Sequence, residues 1–456
     1  MGAAKHRKVF VANRGEIALR IIEACDRLGI ETVLGVSAFD KDSLPAQRAG
    51  QTVVLGPSHA SNSYLNVGAV THAAIHTGCT ALHPGYGFLS ERVSLARACA
   101  ENNLIFIGPR PEHLEVLGDK LSARRVAEAA GVPVSPGGAT TSGQEALDLA
   151  DQIGYPVLVK AAFGGGGRGM KLVHNADDLV AAWELAASEA QAAFGDGTVF
   201  VERFIANAKH IEVQILGDQH GNHIHLAERE CSVQYRYQKM LEEAPCNALS
   251  ESARNKLHGY ALSLARQINY QSLGTIEFLY DVQRDAWCFL EVNPRVQVEH
   301  PVTESVTGID LIREQILVAF GEPLSLRQQD VQISGHAIEL RLTAQDAHRA
   351  LMPSPGTLTR WRPAPLGGVR LDTHLYENYR FPPHYDALMA KIIAWGPDRN
   401  TALERLTLAL HRLEIEGPRT NLALLQRLVN SQTVLENSVT TRWLEDALPQ
   451  LMEEPS

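Results

Sequence analysis

Cysteine is scarce in this 456-residue chain and does not cluster: Cys25, Cys79, Cys99, Cys231, Cys246 and Cys288 are scattered, with no CxxC pair. That spacing argues against a disulfide framework or a zinc site, and free thiols fit a reducing compartment. Long apolar runs are also missing; those present are short and strand-like, so no membrane span is expected. The first eight residues are basic, but only Val9-Phe10-Val11-Ala12 follows as an apolar run, too short for a signal peptide. The cytoplasm is the expected location. Positive charge is in deficit, with 42 Lys and Arg against 52 Asp and Glu for a net −10. No nucleic-acid footprint is expected from that balance, although a local basic pocket can still hold a phosphate. Hydrophobic residues at 45% and charged residues at 21% describe an ordinary globular protein, long enough for two to four domains.

The opening reads as strand, turn, helix. Val9-Phe10-Val11-Ala12 is a buried-strand run and Asn13-Arg14-Gly15 the turn; Ile17, Ala18, Ile21, Ile22, Cys25 and Leu28 then follow helical spacing, with Gly29 as the stop. Strands at 31–36, 52–55 and 104–107 continue the βαβ rhythm of a parallel sheet. The first domain is expected over 1–110, followed by a helical linker at 111–134. Residues 135–206 form a compact insert: a strand at 156–160, a glycine run, a strand at 171–173, and a helix opened by Asn175 with Asp178 and closed by Gly195. From 207 to 456 the chain turns strand-rich, then ends in amphipathic helices after Arg399.

Lys160 ends a strand, and Gly164, Gly165, Gly166 and Gly167 follow before Arg168-Gly169-Met170. Four consecutive glycines let successive N–H groups close over phosphate oxygens. There is no Gly-Lys-Ser/Thr ending, and a strand rather than a helix comes next, so neither a Walker A loop nor a dinucleotide fingerprint fits. A lid that closes on nucleotide is expected; a surface hairpin is the competing reading of the glycines alone.

The segment Glu291-Val292-Asn293-Pro294-Arg295-Val296-Gln297-Val298-Glu299-His300 alternates polar and apolar positions. As one regular strand it would spread Glu291 to Glu299 over about 26 Å, at roughly 3.3 Å per residue, too far for one small-substrate site. Pro294 also breaks ladder pairing. The strand should therefore stop near Asn293, with the rest curling back around a reacting centre. Glu277, on the preceding strand at 275–282, can lie opposite Glu291 with Cβ atoms about 5 Å apart. Facing like charges need a bridge, and Glu277, Glu291 and Asn293 oxygens suit a Mg²⁺ that also holds ATP phosphates.

With these residues in view, nearly the whole chain resembles the biotin carboxylases. Matching runs are Ala12-Asn13-Arg14-Gly15-Glu16-Ile17-Ala18, His83-Pro84-Gly85-Tyr86-Gly87-Phe88-Leu89-Ser90-Glu91, Gly118-Asp119-Lys120, and the glycine run through Met170. Glu228-Arg229-Glu230-Cys231-Ser232, Gln238-Lys239, Glu242-Glu243-Ala244-Pro245, Gln297-Val298-Glu299-His300-Pro301-Val302-Thr303-Glu304 and Pro353-Ser354-Pro355-Gly356 complete the set. The resemblance implies a mixed α/β and α+β multidomain fold: a Rossmann-like preATP-grasp domain, an ATP-grasp lid and body, and a C-terminal biotin carboxylase domain. It implies that ATP, with Mg²⁺ or Mn²⁺, activates bicarbonate as carboxyphosphate, which carboxylates biotin on a carrier protein. Lys120, Lys160, the glycines, Met170, Glu202, His210, Gln234, Glu277 and Glu291 become the implied ATP ligands. Lys239, Arg295, Gln297 and the Val298 backbone become the bicarbonate cradle, with Glu299 as base and Arg341 stabilising the biotin enolate. A biotin carboxyl carrier protein, carboxyltransferase subunits and a homodimer are the implied partners.

Phe163 replaces a loop glycine, and Tyr235 and Tyr237 replace residues of the usual Gln-Arg-Arg-His/Asn-Gln-Lys, removing at least one cation from the implied phosphate site. Met389-Ala390-Lys391-Ile392 does not match a Met-Lys-Met biotinylation site, and no carboxyltransferase segment is recognisable, so a free-standing subunit is expected. Two other readings stand at this point: an ATP-grasp ligase joining another carboxylate to an amine, and a catalytically weak paralogue that binds ATP or the carrier.

Overall fold

The structure, a computed structural model, describes residues 7–161 and 170–453. Phe163 and the glycines 164–167 lie outside the described residues.

The N-terminal part folds as the apolar runs dictate. Five parallel strands assemble in the spatial order Gln51–Gly56, Glu31–Ser37, Lys8–Val11, Ala81–His83, Ile105–Phe106. Helix Gly15–Arg27 buries Ile17, Ala18, Ile21, Ile22 and Cys25 against the sheet. Its first residue, Gly15, has φ +68°, a conformation that favours glycine, and this sharp entry aims the helix start into the interior. Two helices, Pro111–Gly118 and Lys120–Ala129, lead out of this part.

The next unit is a four-stranded antiparallel sheet in the order Gly137–Thr140, Val199–Arg203, Val157–Ala161, Lys171–Val173. Helices Gly143–Ile153 and Leu179–Phe194 cover it. The second helix differs from expectation at its start. Asn175 accepts a hydrogen bond from the Asp178 N–H at 3.1 Å, closing a turn, and the helix begins only after Asp178, whose side chain makes no cap. Gly195, at φ +75°, ends it as expected.

Six of the remaining strands pair in three two-stranded ribbons, and the other eight form one antiparallel sheet. Its order is Ala286–Asn293, Ser272–Asp281, Ala208–Gly217, His223–Tyr235, Gln238–Ala244, His336–Thr343, Leu388–Gly396, Val369–Thr373. Strand alternation sorts its side chains by face. Ile211, Val213, Ile215, Ile338, Leu340 and Leu342 go into apolar cores, the latter three beneath the C-terminal helices Arg399–Arg412, Leu422–Val429 and Trp443–Met452. Their neighbours Glu212, Gln214, Glu339 and Lys391 are buried although polar or charged. Burying so many charges is costly unless each is paired. One face of this sheet is therefore a charged platform, and its pairings define the site.

Candidate active site

A cleft of about 1160 Å³ opens between the charged face, the small four-stranded sheet and the N-terminal part, and it is lined by Lys120, Lys160, Glu277, Glu291, Lys239, Glu299 and Arg341 among others. Strand Ala286–Asn293 ends at Asn293, as Pro294 requires, and pairs with Ser272–Asp281 so that Glu291 lies directly opposite Glu277. A register shift beside Glu277 leaves Leu290 unpaired and sends Glu291 to the cleft face.

The two glutamates are unequal. Glu277 Oε1 accepts from Lys239 Nζ at 3.0 Å, Asn293 Nδ2 at 2.8 Å and Gln297 Nε2 at 3.1 Å, while Oε2 lies 2.9 Å from His210 Nε2. Burial opposes its charge, but Lys239 and His210 hold the carboxyl well below the usual range. No described donor reaches the Glu291 carboxylate; burial and the facing Glu277 push it up. An unpartnered carboxylate beside an ionised one is a donor set that a hard divalent cation would satisfy. The expected metal ligands thus fit such an ion, with Asn293 Oδ1 at present accepting from Arg295 at 2.9 Å.

Past Asn293 the chain curls as expected. Arg295 donates to Gln297 Oε1 at 2.8 Å and to Glu91, and the turn ends at Glu299, the residue preceding helix His300–Thr307. Glu299 is fully buried. Its Oε1 accepts from Lys239 Nζ at 2.6 Å and its Oε2 from Arg341 Nη2 at 2.9 Å. Burial alone would raise its carboxyl; Lys239, Arg341 and Arg229 outweigh burial and hold it well below the usual range. Lys239 is the hub, since Glu212 Oε2 also accepts from it at 2.6 Å.

At the other end of the cleft, Lys160 Nζ donates to Glu202 Oε1 at 2.6 Å, both within the small sheet. Lys120 opens helix Lys120–Ala129; burial and then Lys160 lower its pKa, a penalty on its charge that a nearby anion would relieve. Met170, Glu202, His210 and Gln234 line the same cleft.

Glu212, Arg229, Glu242, Glu16 and Lys391 belong to this network and were not singled out as site residues from sequence. Arg229, fully buried, donates to Glu212 at 2.5 Å, Gln214 at 2.8 Å and Thr303 at 2.9 Å, fixing the platform beneath Lys239. Glu242 accepts from Arg341 Nε at 2.6 Å. The polar alternation His210, Glu212, Gln214 along one buried strand was the available signal. Tyr235 and Tyr237 part company. Arg236 and Tyr237, both at positive φ, form the hairpin turn; Tyr237 lines the cleft, whereas Tyr235 packs on the C-terminal core. Tyr235 therefore stands in for packing rather than for a phosphate contact.

A lid-like sheet, a facing carboxylate pair and cleft lysines on an antiparallel platform define a ligase of the ATP-grasp class. Comparison supplies the family. Residues 5–114 match the model "Biotin carboxylase, N-terminal domain", residues 119–327 "Carbamoyl-phosphate synthase L chain, ATP binding domain", and residues 339–446 "Biotin carboxylase C-terminal domain". The chain belongs to the biotin carboxylase family. It is 46% identical to the biotin carboxylase of Nostoc sp., over 97% of this chain and 99% of that one. It is 44% identical to the alpha subunit of mitochondrial methylcrotonoyl-CoA carboxylase from Glycine max, over 97% of this chain and 61% of that one. The biotin carboxylase domain dimer of Hydrogenobacter thermophilus 2-oxoglutarate carboxylase, in complex with MgADP, ADP and bicarbonate, superposes with a TM-score of 0.94 at 40% identity, covering 99% of each chain. Biotin carboxylase from Campylobacter jejuni gives 0.93 at 42%, covering 96% of this chain and 98% of that one.

Proposed function

We propose that this chain uses ATP, Mg²⁺ and bicarbonate to carboxylate biotin borne on a carrier protein, the first half-reaction of an acyl-CoA carboxylase. The observation that carries the reading is Glu299, one oxygen on Lys239 and the other on Arg341, in the same cleft as the Glu277–Glu291 pair. Lys120 and Lys160 neutralise the phosphates, Glu202, His210 and Gln234 line the nucleotide end, and Glu277, Glu291 and Asn293 hold the metal. A divalent cation held by these residues would neutralise charge on the phosphoryl group. Lys239, Arg295, Gln297 and the Val298 backbone hold bicarbonate, whose proton Glu299 takes. The same cations that depress Glu299 also favour loss of that proton, so base and acid are lowered together. Arg341 faces the biotin enolate.

Dimerisation and the partners of the family, a biotin carboxyl carrier protein and carboxyltransferase subunits, belong to this proposal, as do the domain limits 1–110, 111–134, 135–206 and 207–456. Among the described residues no helix is long and apolar enough to cross a membrane; a cytoplasmic location completes the reading. The test is ATP hydrolysis by the purified protein with and without bicarbonate and free biotin. Turnover that requires bicarbonate and rises with biotin is the expected result; hydrolysis indifferent to both refutes the proposal.

Arg341 also makes the reaction pH-sensitive. Burial pushes the Glu242 carboxyl up to about 7, with Arg341 pulling against it and Glu299 adding to it. The ionised form holds Arg341 by a charge-assisted bond that weakens on protonation, so biotin-dependent turnover should fall as the pH drops through about 7. Glu242→Gln cannot ionise: it should remove that acid limb and lower kcat/KM for biotin by about tenfold, the cost of one charged hydrogen bond. A variant that keeps the wild-type profile between pH 6 and 9 would free Glu242 from this role.

A further inference from the structure

Lys391, set aside above as a biotinylation lysine, is fully buried. In the eight-stranded sheet it pairs with Arg341 on one side and Asp372 on the other. Its Nζ donates to the Val298 carbonyl at 3.1 Å, lies 3.0 Å from Glu16 Oε2 and 3.7 Å from Asp372 Oδ2. Asp372 is already held by Arg370 through two hydrogen bonds of 2.7 Å. Glu16 sits at the start of the first helix of the N-terminal part and also accepts from the Tyr86 hydroxyl. Burial disfavours the Lys391 charge, but Glu16, Asp372 and Glu339 keep it protonated. Burial pushes the Glu16 carboxyl up and Lys391 draws it back; a hydroxyl donor and an ammonium on one carboxylate favour its ionised form.

The Val298 carbonyl belongs to the peptide whose nitrogen is that of Glu299, so whatever grips this oxygen sets the plane from which the Glu299 side chain springs. We propose that Lys391 is a positioning residue for bicarbonate: it pins the Val298–Glu299 peptide and, through Glu16, ties that turn to the N-terminal domain. The inference rests on reading residues 297–299 as part of the bicarbonate site. Nucleotide binds at the far end of the cleft and should not sense the change.

The bland alternative is that Lys391 only neutralises Glu16, and two variants separate the readings. Lys391→Met keeps the aliphatic stem and removes the ammonium. Its KM for bicarbonate should rise about ten- to a hundredfold, the worth of a charged hydrogen bond in a buried site, with KM for ATP unchanged. Glu16→Gln added to Lys391→Met removes the stranded carboxylate and should restore the melting temperature without restoring the bicarbonate KM. This double variant remains readable if the single one does not fold. Recovery of the bicarbonate KM in the double variant, or a parallel rise in both KM values in either variant, would overturn the positioning role. Wild-type hydrolysis that ignores bicarbonate would instead sink the reading of the site, and this inference with it.

Discussion

Glu299→Gln is expected to cut bicarbonate-dependent ATP turnover by about 10²–10⁴-fold, the usual contribution of a positioned base, while leaving nucleotide affinity intact. The isosteric amide fills the same buried space and can still accept from Lys239 or Arg341 through its oxygen. What it loses is the ability to take a proton. The fold should survive, because each cation keeps another carboxylate: Lys239 retains Glu212 and Glu277, and Arg341 retains Glu242. Nucleotide titration and thermal melting of the same preparation check both points. A variant that no longer binds ATP, or melts far below wild type, would make Glu299 a structural anion instead of a base.

That the curl from Asn293 to Glu299 could be read from the residues themselves, while the side chains that meet it could not, has a physical reason. Proline at 294 and the reach of an extended strand dictate a stop and a curl, both local properties. The opposition of Glu277 and Glu291 follows from a short loop and strand pairing, also local. Lys239, by contrast, meets Glu212, Glu277 and Glu299 at sequence separations of 27, 38 and 60 residues. Such meetings depend on the order of strands across the large sheet, which no short-range pattern encodes. The same holds for Lys391 and Glu16, brought together from opposite ends of the chain. Resemblance to a family supplied Lys239 and Arg341 where spacing could not. It misled over Tyr235, because a departure from a motif does not say whether the side chain faces the cleft or the core.

Lys239→Met should be the most disruptive change on the platform, in stability as well as turnover. Its ammonium lies 2.6 Å from Glu212, 3.0 Å from Glu277 and 2.6 Å from Glu299, all three buried. Removing one partner of a buried ionic cluster typically costs about 3–5 kcal/mol, because the charges left behind are uncompensated. Here the loss is shared, since Arg229, His210 and Arg341 still hold one carboxylate each, which is why the chain should fold at neutral pH. Turnover should nevertheless drop by about 10²–10³-fold, the cost of removing one donor from a preorganised anion site. The pH dependence of stability is the sharper signature. In the wild type, burial is outweighed and Glu277 and Glu299 titrate below the usual range. They therefore contribute stability at pH above their unfolded pKa, lost only as pH falls through their depressed folded values. Without Lys239 those folded values rise, so the folded variant takes up protons at higher pH than the wild type does, and that uptake relieves the stranded carboxylates. Melting temperatures measured from pH 8 down to pH 4.5 should lie furthest below wild type at the alkaline end and approach it toward the acid end, where protonation removes the uncompensated charge. Two parallel curves would mean that Lys239 does not set the ionisation of these carboxylates, and its place as the hub of the site would fall.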